Sequence, residues 1–309
     1  MGRLALRLFS LAQDQEAFLS SLAQVAAGPL RWRMEAISRS FSEGCHAALE
    51  DPRPGPLAAR LARRVEPELQ GFAYEGAGLG LALLDAVTPW RRHRLADFIA
   101  GPGSPQTYML HVGSGWVMAR LPVSHRWFLS GLDPVLGWLA YDGLGFHDAF
   151  FHGGRIVGRA EAPRRAGGYA LRPFDAGVGR RLWLLPEAGV SYVPRIIATF
   201  AASRHAGLWM GVGEAITFAG GRDAAAVAEV RQAAGDHAPQ LALGSAFAAE
   251  VRARAGNPSP WTDLACALLC HQEPAAAAAV VREALAGLPP DGEVPAYEVW
   301  RERVRARYR

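Results

Sequence analysis

Five Gly-x-Gly doublets recur along this chain, at Gly76–Gly78, Gly113–Gly115, Gly143–Gly145, Gly177–Gly179 and Gly211–Gly213. Gly44 precedes the series and Gly244 follows it, and successive first glycines stand 32, 37, 30, 34, 34 and 33 residues apart. Three residues after each first glycine lie Leu79, Trp116, Phe146, Arg180, Glu214 and Phe247. Seven residues after lie Leu83, Arg120, Phe150, Leu184, Phe218 and Val251. Mostly apolar residues at those two offsets make one stripe of an amphipathic helix. A period of about 34 residues is that of helix-turn-helix solenoids.

Glycine inside a helix costs about 0.5–1 kcal/mol relative to alanine. Ten of them would cost roughly 5–10 kcal/mol, the scale of a whole domain's net stability. Close approach of neighbouring helix backbones, which only a missing Cβ permits, would offset that. Alternatively each doublet opens a helix, where the penalty is smaller. Glu43, Glu75, Asp142 and Asp175 would then lie near positive dipole ends and act as caps.

Strand signals are scarce, and Ala- and Leu-rich stretches such as DAAAVAEVRQAA and EPAAAAAVVREALAGL dominate. DPRPGP (51–56), GPGSP (101–105), EAPRRAGG (161–168) and LPPDGEVP (288–295) read as turns or linkers. The expectation is a mainly α fold of stacked helical hairpins, α-solenoid-like, with little or no sheet. It forms a single domain: an N-terminal helical arm over 1–56, a repeat body over 57–256 and C-terminal helices over 257–309.

Half of the 309 residues are hydrophobic, enough for a sizeable core. No apolar run reaches the length of a membrane span. The start, MGRLALRLFSLA, is interrupted by Arg7, lacks a signal-peptide cleavage site, and has Leu6 where myristoylation wants Ser or Thr. Three cysteines cannot all pair, which suits a reduced cytoplasm. No lysine occurs, so a Walker-A loop, a Schiff-base nucleophile and a pyridoxal-phosphate anchor are excluded. A net charge of +4 is too small to argue for nucleic acid. Arg91–Arg94 and the C-terminal RERVRARYR offer faces for solvent or for an acidic partner.

The repeat supplies its own internal control. His147 stands four after its glycine, where sister copies carry Gly80, Val117, Arg181, Ala215 and Ala248. Arg180 and Glu214 replace the apolar residues of the +3 position. If equivalent positions converge, His147, Arg180, Arg181 and Glu214 meet in one polar patch. That patch is either a buried ion pair beside a core histidine or a pocket with an acid/base histidine and an anion-holding arginine. Tyr74, Trp116, Tyr141, Phe146 and Trp209 line an apolar groove or fill the core. His147 and His152 are five apart, about 140° around a helix, which is poor geometry for one metal ion. Cys266, Cys270 and His271 lack a partner CxxC and read as buried thiols.

The succession GFAYEGAGLGLALLD, TPWRRHRLADFIAGPG, LDPVLGWLAYDGLGFHDAFFH, PFDAGVGRRLWL and LWMGVGEAITFAGG resembles the UnbL-type proteins. That is a bacterial family of unknown function encoded beside enediyne polyketide synthases. The resemblance covers about residues 70–221 and, more weakly, the C-terminus. It implies a part in enediyne core formation on a hydrophobic polyene or polyyne. Its family-like residues are Tyr74, Glu75, Asp142, His147, Asp175, Arg180 and Trp209, and it brings no catalytic assignment. The chain departs from the pattern at Glu214.

The leading expectation is a cytoplasmic biosynthetic protein in which Asp142, His147 and Asp175 are catalytic. His147 moves protons while the carboxylates position it or steady positive charge. Tyr74, Glu75, His111, Trp116, Phe146, His152, Arg180, Arg181, Trp209 and Glu214 are the substrate-binding candidates. No metal is assigned, and the cofactor is left unknown. An acidic carrier domain or another enediyne biosynthesis protein is the expected macromolecular partner. The rival reading is a non-catalytic repeat scaffold that joins the synthase to tailoring enzymes.

Overall fold

The computed structural model describes residues 28–122, 124–185 and 189–309. The N-terminal reading of signal and acylation motifs, and the first half of the expected arm, lie outside the described residues. The described chain is helical throughout and contains no strand, so the mainly α expectation holds. It divides into two compact units: the first closes at Leu144 and takes in Ala255–Asn257, and the second comprises Gly145–Arg254 and Pro258–Arg309.

The main helices of the first unit are α1 (Pro29–Glu50), α2 (Pro54–Arg64), α3 (Gln70–Val87), α4 (Arg94–Ala100), α5 (Thr107–Ser114), α6 (Trp116–Arg120) and α7 (His125–Leu129). Helix α8 (Leu139–Phe151) contributes its first half. Every residue of α3 from Gly71 to Leu84 is buried. A helix enclosed on all sides needs apolar or small residues around its whole circumference, and α3 has both.

The glycine doublets lie inside helices, except that Gly115 sits at the junction between α5 and α6. A Cβ on Gly76 would stand 1.9 Å from the carbonyl oxygen of Phe41 on α1, and one on Gly78 2.4 Å from that of Leu110 on α5. Gly113 meets the Glu75 carbonyl at 1.8 Å and Gly115 the Ala140 carbonyl at 1.8 Å in the same sense. Two residues along a helix turn about 200°, so a Gly-x-Gly cuts notches on opposite sides of one helix. The first notch receives the preceding row helix and the second receives the following one. Here α1, α3, α5 and α8 form the row, and the short helices are return segments between its members. Gly76 meets Phe41 and Cys45 while Gly80 meets Cys45 and Ala48, so α1 and α3 run parallel. The contacting neighbours are therefore successive row helices rather than the two arms of one hairpin. Helix α1, read above as arm, is the first of them. Its single glycine, Gly44, faces the Ala73 carbonyl at 1.7 Å.

The second unit repeats the device. The later half of α8 is followed by α9 (Gly153–Ile156), α10 (Leu171–Trp183), α11 (Tyr192–Ile197), α12 (Ala202–Phe218), α13 (Ala224–Ala234) and α14 (Ala238–Ala255). Gly145 meets the Phe174 carbonyl at 2.0 Å, Gly179 that of Leu208 at 2.0 Å, Gly211 that of Ala176 at 1.8 Å and Gly213 that of Leu241 at 2.1 Å. In both units each notch faces the residue three before the glycine on the neighbouring helix. The contact is reciprocal: Gly211 faces Ala176, three before Gly179, and Gly179 faces Leu208, three before Gly211.

After α14 the chain forms α15 (Pro260–Ala265), a π-helical turn over Cys266–Cys270, α16 (Pro274–Leu285) and α17 (Ala296–Arg305). Gly220 has φ +65°, and its missing side chain makes room for the Trp261 ring. Helix α17 is amphipathic and buries Tyr297, Glu298, Trp300, Arg301 and Val304. Trp300 lies 4.5 Å from the Phe247 ring on α14. The Arg301 Nη2 reaches Met210 Sδ on α12 at 2.9 Å.

A Cβ at a notch must push two backbones apart. Gly211→Ala is expected to lower stability by at least about 2–3 kcal/mol in denaturant melts, beyond the overpacking penalty of an adaptable core. Gly154, with nothing within 4 Å of an added Cβ, is the control. Gly154→Ala should be neutral or stabilising by up to about 1 kcal/mol.

Candidate functional site

His147 sits on the second half of α8 and is buried, as is its neighbour Asp148. Its Nδ1 donates to Asp148 Oδ1 at 3.1 Å. Asp148 in turn accepts from the Arg165 Nη2 through both oxygens, at 3.0 and 2.8 Å. Burial acts to raise the Asp148 carboxyl, but the hydrogen bonds from His147 and Arg165 outweigh it and hold the group below its ordinary range. An ionised Asp148 accepts only. It therefore fixes the proton of neutral His147 on Nδ1 and places the lone pair on Nε2. This is the orienting half of an acid/base dyad.

Aromatic rings surround the dyad. The His147 ring lies 4.7 Å from Phe151 and 6.2 Å from His152. Arg180 lies over Phe146 and Arg181 over Phe150, each at 4.9 Å. The two arginines from α10 thus cover the aromatic face of α8. Arg181 is buried, and burial pulls its pKa down to about 10. Its Nη1 donates to the Leu184 carbonyl at 2.8 Å. Glu214 is half-buried on α12, where its backbone nitrogen lies against Gly244.

Asp175 is held elsewhere. Its carboxylate takes Arg204 Nε at 3.0 and 3.1 Å and Nη2 at 2.5 Å, and Arg204 Nη1 donates to the Ala160 carbonyl at 2.7 Å. Both side chains are buried. Burial pushes the Asp175 carboxyl up to about 6, against the opposing pull of Arg204. Asp175 also lines a cavity of about 230 Å³ whose wall includes Arg172, Ser203, Gln240, Leu243, Glu298 and Arg301. In that wall Glu298 accepts from Arg172, from the Tyr169 hydroxyl at 2.8 Å and from Arg301 at 3.1 Å.

Residues of the first unit are placed as follows. Tyr74 is buried and stacks 5.7 Å from Phe98; Trp116 lies 4.6 Å from Phe41. Glu75 is buried in the middle of α3, away from its start, while Asp142 is buried in the first turn of α8, near that helix's positive end. His111 is buried with Nδ1 donating to the Thr107 carbonyl at 2.7 Å, and burial lowers its pKa. Trp209, in the second unit, is buried in α12.

Of the three catalytic candidates, His147 is therefore oriented by Asp148 rather than by Asp175, which belongs to the Arg204 pair and the cavity. The sequence reading did not single out Arg165, Arg204, Glu298 or Arg301. Arg165 lies in a stretch read as linker, and Glu298 with Arg301 in the C-terminal helices. Their signals, an Arg pair between two turns and an i,i+3 acid–base pair on an apolar helix, are weak without coordinates. Cys45, Cys266 and Cys270 are free and buried. Among the described residues no group of three or more His, Cys, Asp or Glu side chains is placed to hold a metal ion.

The family described as "Protein of unknown function (DUF1702)" matches residues 1–308. The chain belongs to that family. No curated protein and no solved structure matches it. The family assignment spans both units, so the dyad and the cavity are features of one family member's whole fold. No single helix among the described residues is long and apolar enough to cross a membrane.

The Asp175 carboxyl carbon is expected to titrate near pH 6 in a carbon-detected NMR experiment. A folded pKa above the unfolded value of 3.8 means that ionising Asp175 destabilises the fold. Its unfavourable contribution is absent below about pH 4 and complete above about pH 6. Removing the lowering influence in Arg204→Gln should move the midpoint upward. A midpoint near 4 in the unaltered protein would contradict the burial argument.

Proposed function

We propose that this protein works in the cytoplasm on a hydrophobic polyene or polyyne intermediate of enediyne-type biosynthesis, moving a proton with His147. The observation that carries the reading is the His147–Asp148–Arg165 relay beside Phe146, Phe150 and Phe151. Asp148, anchored by Arg165, sets the tautomer of His147 and stabilises the imidazolium that forms when Nε2 takes a proton. Aromatic rings and the guanidinium groups of Arg180 and Arg181 suit a conjugated chain, which offers a polarisable face for stacking and cation–π contact. The resemblance to UnbL-type proteins supplies the substrate class. The geometry supplies the residue that would act on it.

The reading assigns Asp148 the positioning role first given to Asp142 and Asp175. Asp175 remains a second ionisable group with a carboxyl raised toward neutrality, a property of functional carboxylates as well as structural pairs.

A scaffold that docks an acidic carrier domain is the second reading, and one observation favours it. Trp90 is 76% exposed and is followed by exposed Arg91 and Arg92. A tryptophan flanked by cations is the composition of an interface anchor.

Gene deletion in a producing strain should accumulate an unprocessed polyene. Complementation with Asp148→Asn should restore complex assembly but leave processing reduced by about 10²–10⁴-fold, the usual worth of an oriented acid/base group. Full processing by a folded His147→Gln variant would rule out the catalytic reading. Loss of assembly with Trp90→Ala, and no defect with His147→Gln, would favour the scaffold.

A further inference from the structure

Two of the three cysteines come together where helical periodicity breaks. Cys266 opens and Cys270 closes the π-helical turn that follows α15, and His271, at φ +54°, ends it with its amide donating to the Cys266 carbonyl. Residues four apart in an α-helix are offset by about 6 Å along the axis and about 40° around it. A π-turn takes more residues per turn, so the axial offset shrinks. Such a separation falls within the Cα range of disulfides, about 4.4–6.8 Å.

Both sulfurs rest on one face of α14. Cys270 Sγ donates to the Ala242 carbonyl at 3.4 Å, and Cys266 Sγ lies 3.9 Å from Ser245 Oγ. Ala242 and Ser245 are three apart on that helix and are neighbours on its surface. The two thiols also share a hydrogen bond.

Burial alone does not distinguish the cysteines: Cys45, in the first unit, is 2% exposed, Cys266 0% and Cys270 4%. Their surroundings do. The hydrogen bond from Cys266, helped by Ser245 and Tyr308, pulls the Cys270 thiol below its ordinary pKa against the opposing effect of burial. The same bond, together with burial, pushes Cys266 up and keeps it a protonated thiol. Tyr308, on the turn Ala306–Tyr308, hydrogen-bonds Cys270, reaches Gln272 at 3.4 Å and is itself partly exposed. A small oxidant therefore has its shortest route to Cys270.

We propose that Cys266 and Cys270 are a modification site, a pair that hydrogen peroxide converts to a reversible disulfide. The Cys270 thiolate attacks peroxide, releases hydroxide and becomes a sulfenic acid. The Cys266 sulfur then attacks that sulfur, and its proton leaves with the hydroxyl as water. Two thiols and one peroxide give one disulfide and two waters, and a dithiol reductant reverses the change. Both ends of the cross-link lie within one five-residue turn, so the row helices can keep their places. The site does not depend on the polyene reading.

The test uses the purified full-length chain, folded and reduced, then exposed to hydrogen peroxide. Catalase removes the oxidant before the protein is denatured, alkylated with iodoacetamide and digested with trypsin. No arginine interrupts residues 255–281 and no lysine occurs, so both cysteines report in one peptide. That peptide should lose two hydrogens, resist alkylation, and accept two alkyl groups once dithiothreitol is added. In Cys266→Ser the resolving thiol is gone, and dimedone should label Cys270. In Cys270→Ser, oxidation of Cys266 should slow by about tenfold or more, because the thiolate nucleophile is missing. Two alkylatable thiols in that peptide, at a dose that oxidises methionine or Cys45, would overturn the proposal. A disulfide that forms only in denaturant would overturn it too, as would a Cys270 sulfenic acid beside an unreacted Cys266 in the unaltered protein.

Discussion

The contact on which the rest of this fold depends is a glycine Cα resting on the carbonyl of a neighbouring helix. It brings parallel helices closer than any side chain would permit. Such closeness replaces interdigitated side chains with backbone-on-backbone packing, where dispersion and weak Cα–H···O contacts accumulate along the crossing. The arrangement explains why the doublet has one residue between its glycines. Notches on opposite sides let a helix be gripped by two neighbours at once. It also explains the lone glycines at Gly44 and Gly244, each with a single such partner in its unit (Gly44 on α3, Gly244 against Met210 of α12).

Close packing constrains polar residues as strongly as it constrains glycine. Glu75, Asp142 and Asp175 lie beside the notches and are buried. A buried carboxylate is tolerated only with a matched partner. For Asp175 that partner is Arg204, about one repeat further along the chain. For Asp148 it is Arg165, from a segment between row helices. Charge matching thus fixes where return segments and row helices must lie.

The two polar centres of the second unit have different chemical characters. The His147 dyad is embedded among aromatic rings and has its carboxylate held ionised. The Asp175 cavity is lined by charged groups and has its carboxyl raised toward neutrality. Environment, not residue type, separates two aspartates that composition alone would treat alike.

The glycine spacing by itself determined the helical class and the repeat length, and it left two explanations of the doublets, close backbone packing or helix starts, between which the structure decided. Those follow from local arithmetic: 100° per residue and a missing Cβ. The same spacing singled out His147 as a departure from the repeat. It did not determine which carboxylate orients that histidine, because adjacent Asp148 and distant Asp175 both lie within reach of a repeat-based argument. It also could not reveal Arg165, Arg204 or the Glu298–Arg301 pair, whose partners lie 17, 29 and up to 129 residues away in sequence. Pairing over such distances is set by how return segments and the C-terminal helix dock on the row. Only the tertiary structure decided that, because desolvation and charge matching act on positions in space and leave no period in the chain.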